Sequence, residues 1–189
     1  MKVKNEWIRN SDSLVYDIED FLQQGTVIQA MFQTDITLFN EELKYIKEYN
    51  NDYLELFKNP TKFGSPHCLL DGVDEYNPND IHHLYHICRY ENSTGKIDKK
   101  IKVVEWGGGY GNMCKVLHMI HGDLIESYTI IDLPTFSQLT NKYLSHVLGE
   151  DKFKIVSAEG LDEENIPTHD LFISTWALSE SPEECQDYL

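Results

Sequence analysis

The chain has 189 residues, 41% of them hydrophobic and 12% aromatic, the composition of a folded domain with its own core and not of a disordered segment. It carries 32 Asp and Glu against 16 Lys and Arg, a net charge of −16, so its surface repels phosphate backbones and anionic lipid and speaks against nucleic-acid or membrane-surface binding. No apolar run approaches the roughly 20 residues of a membrane span. The opening MKVKNEWIRNSD lacks the apolar stretch of a secretory signal, and Cys68, Cys88, Cys114 and Cys185 form no C-x-x-C pair, which points to reduced thiols in a cytoplasmic protein.

The first half reads as helical. In SDSLVYDIEDFLQQG, Ser11, Asp12 and Ser13 are candidate N-caps and Gly25 a candidate stop, with Leu14, Val15, Ile18, Phe21 and Leu22 at helical spacing. ITLFNEELKYIKEYNNDYLELF repeats the rhythm through Leu38, Phe39, Leu43, Ile46, Tyr49 and Tyr53. NPTKFGSPHCLLDGVDEYNPND is rich in Pro, Gly, Asn and Asp and reads as a loop, either a cover for a pocket or a plain connection. Asn79 or Asp80 then caps a helix through IHHLYHICRYEN, and STGKIDKK is the linker. The predicted division is a helical region with its cover loops over 1–95 and a second domain over 96–189.

From Ile101 the period changes. IKVVEW is a β-branched run ended by glycines, and SYTIIDLP a second one stopped by Pro134; KFKIVSAEG and DLFISTWA are two more. Between them NMCKVLHMIHG and TFSQLTNKYLSHVLG are helical, ending at Gly122 and Gly149. The stretch between Ala158 and His169 is short for a helical crossover and is expected to be mostly loop. This alternation predicts an α/β fold: a Rossmann-like, doubly wound, mostly parallel sheet of about four strands with an N-terminal helical extension. Ligands of such sheets sit outside the strand C-terminal ends, where the strand order reverses.

VVEWGGGYGN occupies that position, with an acid at the strand end and glycines at alternate positions, Glu105-x-Gly107-x-Gly109-x-Gly111, and Gly108 between. The third glycine comes one residue too early for the G-x-G-x-x-G of a dinucleotide site, which disfavours a nicotinamide-dependent oxidoreductase, and no Gly-Lys-Ser/Thr follows as a phosphate loop requires. Roughly twenty residues on, Asp132 ends the second strand in IIDLP. A carboxylate there can accept from both hydroxyls of a ribose, and its competing role is a helix N-cap.

Taken together, VVEWGGGYGN and IIDLP resemble the first two motifs of class I S-adenosylmethionine-dependent methyltransferases. With GGGYGNMCKVLH, IIDLPTFS and FISTWALSE, residues 63–189 are similar, more narrowly, to the sugar O-methyltransferases of bacterial polysaccharide clusters. The resemblance implies S-adenosyl-L-methionine as cofactor and a small-molecule or saccharide acceptor. It implies that Glu105 and the Gly107–Gly111 backbone (Gly107, Gly108, Gly109, Gly111) approach the methionine part of the cofactor. Asp132, with Leu133 beside it, would hold the ribose; Ala158 and Glu159 would flank the adenine; Thr175 and Trp176 would lie near the sulfonium and the acceptor. Plain alternatives stand beside these roles: Glu105 bonded only to backbone N–H groups, Glu159 a solvated loop acid, Trp176 a core aromatic. The rival function is a noncatalytic cofactor-binding or assembly module.

A sugar hydroxyl is a weak nucleophile at neutral pH, so a base is expected. His82 and His86 in HHLYH lie one helical turn apart and are the candidates, against the plainer reading of surface or core-satisfied histidines; His67 and His118 have no better claim. No third ligand is evident, and no metal is expected. The complete fold of the family has seven strands, so the C-terminal SPEECQDYL points to a truncated member, or to a homo-oligomer whose partner covers the edge of LFISTWA.

Overall fold

The computed structural model describes residues 14–15, 17–65, 73, 75–159, 161 and 166–181. Among them the chain runs through α1 (Gly25–Met31), α2 (Ile36–Glu55), α3 (Pro78–Thr94), β1 (Ile101–Trp106), α4 (Asn112–His121), β2 (Ile125–Asp132), α5 (Pro134–Val147), β3 (Lys154–Ser157), β4 (Leu171–Ile173) and α6 (Ala177–Glu180). Two units emerge: a sheet unit built on Lys100–Gly111 and the described residues from Ile125 onward, and a helical unit built on Ile18–Lys99 and Asn112–Leu124.

In the sheet unit the strand order is β3-β2-β1-β4 and every pairing is parallel. The predicted doubly wound α/β sheet is therefore present, with helices N-terminal to it. Val103, Val104, Ile130 and Ile131 are almost wholly buried, the near-continuous apolar run that strands covered on both faces require. Val104, Trp106, Ile131, Ala158 and Leu161 form one core cluster, with Val156, Ile166, Phe172, Ala177 and Leu178 packed against it. The chain lays β2 and β3 on one side of β1 and then returns to place β4 on the other, so the order reverses between β1 and β4. Both ladders extend past the strand ends: Gly107 N–H donates to the Ile131 carbonyl at 2.9 Å, and Ala158 N–H to that of Asp132 at 2.8 Å. Between Ala158 and His169 the described residues are loop, as the short spacing required.

The helical unit departs from expectation at two of its helix ends. Gly25 does not stop a helix; it begins α1, and what precedes it is a 3-10 turn over Phe21–Gln23. That turn is set by Phe21 and Leu22, both fully buried, and by the Leu22 N–H bonded to the Gly64 carbonyl; the proposed caps Ser11, Asp12 and Ser13 lie outside the described residues. At α2 the cap is Asp35, whose side chain accepts from Thr37 and Leu38 N–H at 2.8 and 3.2 Å. The buried residues of α2 are Phe39, Glu42, Ile46 and Leu54, while Leu38, placed on the apolar face by periodicity, is exposed. At α3 the cap is Asn77, its side chain accepting from Asn79 N–H at 2.8 Å, with Pro78 in the first turn. Asn79 and Asp80, the expected caps, are instead buried inside that turn, because Asn79 bonds the Met31 carbonyl and Asp80 pairs with Lys115. Cys88 and Cys114 are buried and not in a disulfide; Cys68, Cys185 and His67 lie outside the described residues.

Candidate functional site

The alternate glycines have a backbone reason. Gly107, Gly109 and Gly111 sit at φ of 74°, 60° and 91°, while Gly108 and Tyr110 between them do not adopt positive φ. A side chain at any of the three would be strained. Gly108 is small for another reason: a Cβ there would stand 2.6 Å from Ile130 Cγ2 and 3.3 Å from Glu105 Oε2, so the loop lies directly on the sheet end.

The loop is pinned from three sides. Gly109 N–H donates to Asp132 Oδ2 at 2.9 Å, and the Thr140 hydroxyl of α5 sits 2.7 Å from the Gly109 carbonyl and 2.9 Å from that of Phe136. Tyr110, buried, meets Tyr143 edge-on at 5.0 Å between ring centroids. Leu144 fills the space where a Cβ of Gly111 would go, at 2.6 Å. The entropy lost in ordering a glycine-rich segment is offset by bonds and packing already present in the folded chain.

Two carboxylates stand at the ends of neighbouring strands. Glu105 is 2% exposed, and its Oε2 accepts from the Tyr128 hydroxyl at 2.9 Å. Burial pushes the Glu105 carboxyl up to about 7; the Tyr128 hydrogen bond pulls it back and the neighbouring Asp132 charge adds to the rise. Asp132, 7% exposed, accepts from Gly109 N–H and, through Oδ1, from Leu133 N–H at 2.7 Å. Burial raises it to about 7 as well, against the pull of those two backbone donors. It is not the N-cap of α5; Leu133 occupies that position, with no side-chain cap bond. An ionised carboxylate offers about four acceptor positions. Two are used here, so Asp132 retains the capacity to grip a diol.

The other residues expected near the cofactor also belong to the sheet unit. Ala158 is packed in the core cluster, Leu133 is buried, and Glu159 is exposed just beyond β3. Thr175 is half-buried in the turn after β4. Trp176 is no core aromatic: it is 60% exposed, at φ 70° and ψ −36°, unusual for a bulky residue. The segment that presents it is fastened to Trp106, whose indole N–H donates to Ser181 Oγ at 2.9 Å and whose carbonyl lies 3.4 Å from Ser174 Oγ. A Cβ on Gly107 would fall 2.1 Å from that of Ala177, so the turns after β1 and β4 meet at the strand-order reversal.

His82 and His86 belong to the helical unit. His82 Nδ1 is 2.5 Å from Glu42 Oε1, and His82 Nε2 is 3.3 Å from His86 Nε2. Burial, together with the neighbouring His82 and Arg89, lowers His86 to about 4, and burial holds His83 well below its ordinary value. Among the described residues no group of three side chains is arranged to hold a metal ion, and no helix is long and apolar enough to cross a membrane.

Three partners escaped the sequence reading. Tyr128 shares a strand face with Ile130 and Asp132, so the period of two along SYTIID carried that signal. Glu42 falls on the buried stripe of α2 with Phe39 and Ile46, and a charged residue at a core position was the sign. Thr140 carries no comparable mark.

No protein-family model matches the sequence, and no curated protein matches it. Solved structures that share part of the chain's geometry include a protein from Galdieria sulphuraria described as a sarcosine dimethylglycine methyltransferase, at 16% identity and TM-score 0.38 over 50% of this chain and 37% of that one. The S-adenosylmethionine-dependent methyltransferase SibL, in its apo form, is similar at 13% identity and TM-score 0.34, over 76% of this chain and 43% of the other. Coclaurine N-methyltransferase bound to N-methylheliamine and SAH is similar at 12% identity and TM-score 0.36, over 90% and 52%. The chain thus spans about half the length of these proteins or less.

Proposed function

We propose that the chain is an S-adenosylmethionine-dependent O-methyltransferase acting on a sugar or sugar-like hydroxyl. The observation that carries the reading is the pairing of a glycine loop at the end of β1 with Asp132 at the end of β2, joined through Gly109 N–H beside the strand-order reversal. The residues fit the cofactor on the chain's own terms: bare backbone where a Cβ would clash, and a carboxylate with acceptor capacity in reserve. Asp132 and Leu133 would hold the ribose, Ala158 and Glu159 the adenine, and Glu105 with the Gly107–Gly111 backbone the methionine part. Thr175 and the exposed Trp176 would border the acceptor.

S-adenosylmethionine supplies, when bound, an electrophilic methyl group and its own leaving group. The protein's share is to hold the acceptor oxygen in line and to receive its proton, for which His82 and His86 are the candidates. Calorimetry tests the reading: S-adenosylmethionine binds in the micromolar range, and Asp132→Ala abolishes binding while the chain stays folded. Unchanged binding in that variant would remove the ribose assignment. Release of S-adenosylhomocysteine with a panel of sugar nucleotides separates an enzyme from a binding module.

A further inference from the structure

The turn after β4 in the sheet unit leaves its largest apolar side chain in water. Ala177 and Leu178 pack against the core cluster that holds Trp106, while Trp176 beside them is exposed, on a backbone at φ 70° and ψ −36°. That ψ lies outside even the small left-handed well open to ordinary residues, so the conformation is strained. An exposed indole on a strained backbone is doubly unfavourable, because burying the ring and relaxing φ would each stabilise the chain.

The strain persists because the segment is tied on both sides of Trp176 to one residue. Trp106, the last residue of β1, donates its indole N–H to Ser181 Oγ at 2.9 Å, and Ser181 Oγ in turn donates to the Ala177 carbonyl at 2.8 Å. On the other side, Ser174 Oγ lies 3.4 Å from the Trp106 carbonyl and accepts from Leu178 N–H at 3.0 Å. The Trp176 carbonyl itself accepts from Ser179 Oγ at 2.7 Å and from Glu180 N–H at 3.3 Å. Ala177 occupies the space where a Cβ of Gly107 would go, so the clamp that holds Trp176 also rests on the glycine loop.

We propose that Trp176 is an acceptor-specificity residue, an aromatic platform on which the C–H face of a sugar ring stacks, and that Trp106 is the positioning residue that holds it there. The inference rests on the methyl-transfer reading above. A pyranose with mostly equatorial hydroxyls has two faces lined by C–H groups and a polar rim. The indole offers one such face an apolar surface of matching size and leaves the rim hydroxyls accessible. A flat platform fixes the plane of the acceptor without reading any single hydroxyl. Holding that plane is what an in-line displacement requires of the protein. The place agrees with the role: the turn stands at the strand C-terminal ends, where the strand order reverses, against Gly107.

Nitrogen-15 spectra of the indoles in the full chain test the platform without turnover. Methyl β-D-glucopyranoside and methyl β-D-galactopyranoside are suitable probes, because they are neutral and a chain of net charge −16 does not repel them. Either should shift the Trp176 indole N–H, and glycerol, which has hydroxyls but no ring face, should not. A shift with glycerol, or none with either glycoside, overturns the platform. Ser181→Ala removes the oxygen that receives the Trp106 N–H without emptying the core around the ring, and should move the Trp176 signal; Ser181→Thr, which keeps the hydroxyl, should restore it. A Trp176 signal unmoved by Ser181→Ala overturns the positioning role. In turnover followed as S-adenosylhomocysteine release, Trp176→Ala should raise acceptor KM about tenfold, more than it lowers kcat, and Trp176→Phe should regain most of the loss. Ser181→Ala should raise KM by a smaller factor and add nothing to Trp176→Ala. Equal KM in wild type and Trp176→Ala, or cofactor affinity that falls as far as acceptor KM rises, overturns the specificity role. Absent cofactor binding in the wild type overturns the methyltransferase reading and leaves the glycoside spectra to judge the platform.

Discussion

The sheet unit and the helical unit both bury ionisable side chains, and they handle the charge in opposite ways. In the sheet unit two acids, Glu105 and Asp132, sit side by side with hydroxyl and backbone donors and, among the described residues, no basic partner, and burial raises both to about 7. In the helical unit every buried acid among the described residues has a base: Asp80 with Lys115, Glu42 with His82, Glu91 with His121 at 2.7 Å. Two of its other histidines, His83 and His86, are held neutral by burial. The first pattern leaves proton and hydrogen-bond capacity unspent at a strand end, which suits a ligand; the second consumes it internally, which suits a scaffold. The Glu42–His82–His86 line is where the scaffold departs from its own rule, because the pair extends outward through a third ring.

The two patterns give opposite pH signatures. Folded Glu105 and Asp132 bind protons up to about pH 7 while their unfolded counterparts release them near 4, so through that window the sheet unit gains stability as pH falls. Folded His83 and His86 resist a proton that the unfolded chain accepts near pH 6.5, so the helical unit has their contribution above that pH and loses it as pH falls.

The largest expected effect is in the helical unit. Asp80→Ala leaves the Lys115 ammonium buried without its carboxylate and should cost about 3–5 kcal/mol in urea unfolding; a cost near zero would mean that the pair is not closed to water. Next is Gly111→Ala in the sheet unit, expected to cost about 2–4 kcal/mol because strain at φ 91° adds to the Leu144 clash. Glu105→Gln should act in the other direction. At about pH 8 it should stabilise the chain by about 1–3 kcal/mol, and the gain should fade as pH falls from about 7 toward about 4.5, where the unfolded chain takes up the same proton. A pH-independent effect would contradict the raised Glu105 carboxyl. The smallest is Gly95→Ala at the end of α3, where φ is 94° and nothing stands within 4 Å of the new Cβ; about 1 kcal/mol measures backbone strain alone and calibrates the Gly111 result.

How much of this was readable before folding differs between the units for a physical reason. The parallel sheet, its order of elements and the loop at the end of β1 were legible, because IKVVEW and SYTIID are short buried runs bounded by Gly and Pro. The alternate spacing of Gly107, Gly109 and Gly111 encoded the alternate positive φ directly. The helical unit was less legible, because its ends are decided by long-range contacts. Gly25 opens a helix only because Phe21 and Leu22 are sealed beside Gly64, and Asn77 displaces Asn79 as cap only because Asn79 is bonded to Met31. The position of Glu42 on the apolar stripe of α2 marked it as buried, but not its partner: the Glu42–His82 and Asp80–Lys115 pairings join positions 35 to 40 apart in sequence, which no local pattern announces.

The central claim is that the glycine loop, Asp132 and the β4 turn border one cofactor site on the sheet unit, and amide spectra address it directly. Adding S-adenosylhomocysteine to the nitrogen-15-labelled chain should move the amides of Gly107, Gly108 and Gly109, the amide of Leu133 beside the Asp132 carboxylate, and the indole N–H of Trp176, and should leave Gly64 and Gly95 of the helical unit in place. Shifts confined to the helical unit, or loop glycines that stay fixed at saturating ligand, would contradict it.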